Sequence, residues 1–209
     1  RGRTVVVAGD SRQLPPTTFF SSISDAEPAD DDTMRVTDDM ESILDAMVAL
    51  LPPPHGSKSL AWHYRSRDER LIAFANAQPS LYDWTMTTFP GVAGDDAIGH
   101  VHVPWIPGGI DQGESAAAEV DAVLELICDH AANRPDESLG VITMGIKHAD
   151  RVAESVRVRR KTDRTLDEYC SSHPDEPFFV KNLERVQGDE RDAIILSIGY
   201  GKNADGRML

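Results

Sequence analysis

The chain has 209 residues, with 35 Asp and Glu against 21 Lys and Arg and a formal net charge of -14. That length holds one full domain and part of a second, and the charge argues against a broad basic face for nucleic acid while leaving room for a locally basic channel. No apolar stretch approaches the ~20 residues of a membrane-spanning helix and no signal-peptide pattern opens the chain, so no membrane partner is expected. Cys128 and Cys170 stand far apart without metal-ligand spacing, and a reducing, cytoplasmic setting is the expectation.

Thr4 to Ala8 is a β-branched run without alternation, the pattern of a strand buried on both faces of a parallel sheet. Gly9 permits a tight turn at its end, and Asp10, Ser11, Arg12 and Gln13 are then presented as a polar elbow before Pro15 and Pro16. Residues 21 to 37 are rich in Ser, Asp and Pro and read as a loop. From Asp25 to Asp45 nine acidic side chains face Arg35 alone, a solvated loop and helix face. Asp38 with Glu41 forms a capping box for a helix whose Met40, Ile43, Leu44, Met47 and Val48 share a face. Pro52 to Pro54 end it and open a linker that reaches about Lys58.

Ser66 with Glu69 makes a second capping box, ahead of a helix with Leu71, Ile72, Phe74 and Ala75 on its buried side, closed by Pro79. A short strand is expected over His100 to Val103. Ser115 can cap a helix in which Val120, Val123, Leu124 and Ile127 recur at helical spacing. Leu139 to Met144 reads as a buried strand, Lys147 to about Lys161 as a helix, and Phe178 to Lys181 and Ala193 to Ile198 as two further strands. Helices alternating with apolar strands predict an α/β fold, a doubly wound parallel sheet flanked by helices.

Three polar clusters fall at the ends of these elements, where loops carry ligand-binding residues. They are "GDSRQLPP", "WHYRSRDERLIAFAN" and "LERVQGDERDAIILS". In this order they resemble motifs III, IV and V of superfamily 1 helicases, in the branch that moves 5′ to 3′. The resemblance runs from Arg3 to Tyr200 and is nearest to large bacterial proteins that join such a core to other domains, some with a nuclease-like module. It implies a RecA-like P-loop NTPase fold in which ATP with Mg2+ sits between two RecA-like domains and single-stranded DNA or RNA lies across both.

The same resemblance implies roles. Gln13, beside Gly9 and Asp10 of the first elbow, matches the glutamine that senses the γ-phosphate, a task suited to an amide that both donates and accepts. Arg65 matches the arginine that reaches the γ-phosphate from the other domain, where a guanidinium fork stabilises developing charge. Tyr64 matches an aromatic stacked on adenine. Glu190 matches the motif V glutamate near ribose and phosphates, with Gly188 allowing close backbone approach. Thr143 matches a contact to the nucleic-acid backbone, made by a hydroxyl or an amide. His148 stands where many relatives have glutamine and Glu184 where many have aspartate; the first departure puts one nucleic-acid contact in doubt, and the second keeps the carboxylate. Arg67 reads as structural.

No glycine-rich Lys-Thr phosphate loop occurs in the chain. That loop and the acidic magnesium motif are expected ahead of Arg1, and the arginine-bearing motif VI beyond Leu209. The expected organisation is the tail of the first RecA-like domain over residues 1–20, an acidic loop, helix and linker over 21–60, and most of the second domain over 61–209. The partner of this stretch is then the rest of the first RecA-like domain. A non-catalytic scaffold that keeps the fold to hold other proteins is the alternative; the presence of Gln13, Arg65 and Glu190 together argues against it.

Overall fold

The computed structural model describes residues 4–10, 42–51, 56–91, 97–104 and 117–200. The chain divides into two compact units, Arg1–His100 and Val101–Leu209.

In the second unit three short apolar runs become strands, β1 (Leu139–Thr143), β2 (Phe179–Asn182) and β3 (Ala193–Ser197). They form a parallel sheet in the order β2-β1-β3, with Val141 level with both Val180 and Ile195. Parallel neighbours need crossover connections, and helices supply them. Helix α3 (Ala117–Asn133) leads into β1, and α4 (Ile146–Arg159) and α5 (Arg164–Ser172) join β1 to β2. The expected α/β fold with a helix-flanked parallel sheet is what forms.

The core explains the arrangement. Val120, Val123 and Ile127 of α3, Val152 and Val156 of α4, and Leu166 and Tyr169 of α5 bury against Leu139 and Val141, with Val180, Ala193 and Ile195 packed alongside. Side chains alternate between faces along a strand, so these all lie on one face of the sheet. On β3 the intervening Ile194 and Leu196 are exposed, the latter 61%. Among the described residues the helices therefore cover a single face.

Helix α5 is not expected from the sequence pattern. Its only buried residues are Leu166 and Tyr169, too sparse a stripe to stand out in a polar stretch. Its start is nonetheless encoded, because the Asp163 carboxylate accepts from the Leu166 amide at 3.1 Å.

Outside the sheet several expectations are corrected. Thr4 to Ala8 forms no strand, and Val5 and Val6 are 73% and 86% exposed. An apolar run becomes a strand only beside a hydrogen-bonding neighbour, and no strand among the described residues pairs with it. His100 to Val103 likewise forms no strand. Helix α1 (Ile43–Leu50) is capped by Ser42, whose hydroxyl accepts from the Asp45 amide at 3.2 Å. The Asp38–Glu41 box and the acidic loop lie outside the described residues.

Helix α2 (Arg70–Ala77) also starts differently from expectation. Asp68 serves its first turn, accepting from the Arg70 amide at 2.9 Å and from the Arg70 guanidinium at 2.9 Å on each carboxylate oxygen. Those hydrogen bonds from Arg70 hold the buried carboxyl down to about 2. Ser66 instead meets His63 Nε2 at 2.8 Å, and Glu69 accepts from Thr88 Oγ1 at 2.9 Å. Leu71 and Phe74 are exposed, whereas Asn76 is buried and uses both ends of its amide on Met86, at 3.1 Å to the carbonyl and 3.2 Å from the amide. Of the expected apolar stripe Ile72 and Ala75 are half-buried, and a polar clamp adds to the anchoring of the helix.

Candidate functional site

Within the first unit the candidate residues lie on a braced turn. His63 N donates to Thr87 O at 2.9 Å and Thr87 N to Ala61 O at 2.6 Å, forming a bridge between Trp62 and Thr87. Two residues after Trp62 comes Tyr64, 83% exposed, and then Arg65, also exposed. The His63–Ser66 hydrogen bond and the Asp68 cap secure the far side of this bend. The turn thus offers an uncovered aromatic ring next to a guanidinium, a pair able to stack on a base and to pair with phosphate oxygens. Gly9 is exposed, and the half-buried Asp10 accepts from the Tyr82 hydroxyl at 2.7 Å. Gln13 lies outside the described residues.

In the second unit the site residues divide between the two ends of the sheet. Thr143 ends β1, level with Asn182 of β2 and Ser197 of β3. All three are buried polar residues that close apolar strands, and together they form a row along the C-terminal edge. This is the edge at which open α/β sheets bind ligands. The Thr143 hydroxyl is fully buried and donates to Gly145 O at 2.9 Å. Of the two expected modes of phosphate contact, hydroxyl or amide, only a backbone donor of this segment is left. The Asn182 side-chain oxygen is buried without a partner in the described structure.

Gly188 and Glu190 belong to the connection from β2 to β3. Asp189 N donates to Val186 O at 2.9 Å, closing a turn in which Gly188 has φ +90. A positive φ at that place favours glycine. A Cβ there would meet nothing within 4 Å, so the turn is open to an approaching group. Lys181 pins it through an ion pair with Asp189. By Arg191 the chain has returned to the other end of the sheet, where the guanidinium donates to Pro177 O, ahead of β2, at 2.7 and 3.1 Å. Glu190 therefore sits near the start of β3 and Thr143 is level with its end. The structure does not bring these two together.

His148 is not a surface group. It is buried in the first turn of α4 with Nε2 2.7 Å from Ser197 Oγ. The Ser197 hydroxyl in turn donates to Glu119 Oε1 at 2.6 Å. Sequence reasoning does not single out Ser197, Asn182 or Glu119; a polar residue closing a strand is a signal for the first two, and none marks Glu119. Burial pushes the His148 imidazole below its ordinary 6.5, with Arg151 acting in the same direction and the Glu119 carboxylate against it.

The unfolded chain takes up a proton near 6.5 that the folded chain resists, so stability is full above that value and declines as pH falls through the folded one. Denaturation midpoints measured from about pH 7 to pH 5 should fall more in the parent sequence than in His148→Gln. Equal slopes would show that His148 contributes nothing to acid sensitivity.

Among the described residues no group of three His, Cys, Asp or Glu side chains could hold a metal ion, so nothing described fits a magnesium cradle. No described helix is long and apolar enough to cross a membrane. The chain is 30% identical, in an alignment that covers 98% of its length, to an uncharacterized ATP-dependent helicase of Mycoplasma genitalium. It is 28% identical over the same share of its length to that protein's Mycoplasma pneumoniae homolog. The chain spans 18% of the length of each of these relatives. No family model matches it, and no solved structure matches it significantly.

Proposed function

We propose that this chain is part of an ATP-driven helicase or translocase of superfamily 1, in the 5′-to-3′ branch, providing one wall of an ATP site and part of a single-strand track. The observation that carries the reading is the order of three motif-like clusters within a chain that is similar over 98% of its length to proteins named ATP-dependent helicases. The positions of several of their residues support the reading. Tyr64 and Arg65 stand exposed on a braced turn, Gly188 and Glu190 on an open one, and Thr143 at the C-terminal edge of the sheet.

In this reading Tyr64 stacks on the adenine and Arg65 pairs with the γ-phosphate, with Gln13 reporting that phosphate from the other domain. ATP supplies the phosphoryl group whose loss drives the change, and the magnesium ligands are expected elsewhere in the polypeptide. Glu190 and Thr143 lie toward opposite ends of one sheet, which suits separate nucleotide and nucleic-acid contacts linked by rigid strands. An amide in the turn from β1 into α4 can hold a backbone phosphate without reading a base.

The test uses the natural full-length polypeptide. Its ATP hydrolysis should rise at least several-fold on addition of single-stranded DNA or RNA, while residues 1–209 alone should show no multiple turnover, since phosphoryl transfer rests on positioning by a phosphate loop this sequence lacks. An absence of any ATPase in the full polypeptide would favour the scaffold reading.

A further inference from the structure

The network of Glu119, Ser197 and His148 joins three elements far apart in sequence and is not accounted for by the nucleotide contacts. Glu119 Oε1, in the first turn of α3, accepts from Ser197 Oγ at 2.6 Å and from the Gly199 amide at 2.8 Å. Ser197 has one hydroxyl proton, and the carboxylate takes it. The contact with His148 at 2.7 Å must then use an Nε2–H that donates to Ser197 Oγ. That assignment makes His148 the Nε2–H tautomer and leaves Nδ1 as a bare acceptor, matching the buried Nδ1 that has no partner in the described structure.

A serine, a histidine and a glutamate in contact invite comparison with a nucleophilic triad. The connectivity excludes it. A catalytic imidazole accepts the hydroxyl proton and is oriented by the carboxylate through its other nitrogen. Here the carboxylate holds the serine, the imidazole donates to it, and both Ser197 and His148 are more than nine-tenths buried. The arrangement can hold parts in place; it cannot attack a substrate.

What it holds is the C-terminal edge. Ser197 is level with Thr143, and Met144 N donates to Ser197 O at 3.3 Å, so the exits from β1 and β3 are stitched together. His148 adds the first turn of α4, and Glu119 fixes the exit from β3 through the Gly199 amide. We infer that Glu119 is a positioning residue that latches the exits of β1 and β3 to α3, keeping the backbone donors after Thr143 in register for a nucleic-acid phosphate. This rests on the reading of that edge as part of the track.

The test compares Glu119→Ala and Glu119→Gln in the natural full-length polypeptide. Glutamine keeps an oxygen that accepts from Ser197 and Gly199, and alanine removes it. Amide exchange at Gly199 and Tyr200 should quicken at least tenfold in Glu119→Ala, and affinity for oligo(dT) or oligo(U) should fall about tenfold; Glu119→Gln should stay within about threefold on both. Leu166→Ala, a core truncation on α5, serves as a control for general destabilisation and should move neither reading comparably. Unchanged exchange in Glu119→Ala overturns the latch. Faster exchange with unchanged affinity, or equal losses in the Leu166→Ala control, overturns the positioning role. If the unsubstituted polypeptide binds neither oligonucleotide, the nucleic-acid reading itself fails, and the positioning role with it, whereas the exchange rates still report whether the latch exists.

Discussion

Replacing Arg65 with alanine in the natural full-length polypeptide is expected to lower ATP turnover about a thousandfold or more, with single-strand affinity kept within about threefold. The magnitude is that of an arginine delivered to a transferring phosphoryl group, where stabilisation falls on the transition state. The structure gives a reason for the effect to be large. A guanidinium on a loose loop would have to be ordered at each turnover, but Arg65 follows a bridge between Trp62 and Thr87 and precedes a helix whose first turn is held by Asp68. Its backbone is already placed. Arg65→Lys keeps the charge and loses the two-pronged geometry, so it should recover only part of the activity. Because Arg65 is exposed, neither change should shift the melting temperature by more than a degree or two. Turnover within a few-fold of the parent in Arg65→Ala would remove the arginine from the mechanism.

The parts of the fold that were legible in the sequence are those specified by local pattern. β1, β2 and β3 are apolar runs bounded by polar residues, and α3 and α4 carry long stripes at helical spacing; each needs only its own residues to be recognised. Apart from α5, whose stripe is too sparse, the misses share a cause in pairing beyond the local run. Thr4 to Ala8 has the composition of a strand, but a strand is a relation between two segments. Leu71 and Phe74 look like a buried stripe, yet the contact that anchors their helix is the Asn76 clamp on Met86, ten residues on. The candidate site shows the same division. Tyr64, Arg65 and Gly188 stand in short motifs that are readable locally, while Glu119 and Ser197 meet across 78 positions with nothing in either neighbourhood to announce it. His148 was noticed as a departure from a resembled pattern. Only the structure shows that it points inward, to Ser197.

Gly199→Ala should destabilise the second unit by roughly 2–4 kcal/mol, the joint cost of a strained backbone and an overpacked contact. Gly199 has φ +71, a conformation that side-chain-bearing residues rarely adopt. A Cβ there would lie 2.5 Å from His148 Cγ and Cδ2 and 2.9 Å from its Cβ. The ring cannot simply swing aside, because its Nε2 is bonded to Ser197 and the side chain is buried. Relief would require the chain after β3 to move, which would also break the Gly199 amide bond to Glu119. A melting temperature lower by about 10 °C or more is the expected reading for a domain of this size. The two costs can be separated in a double-mutant cycle. In a His148→Ala background the clash with the ring is gone, and the backbone strain and the 2.9 Å approach to the Cβ remain, so adding Gly199→Ala should there cost about 1–2 kcal/mol less than in the parent. An equal cost in both backgrounds would mean that His148 does not crowd Gly199, and that the close packing of the β3 exit against α4 is not what requires a glycine.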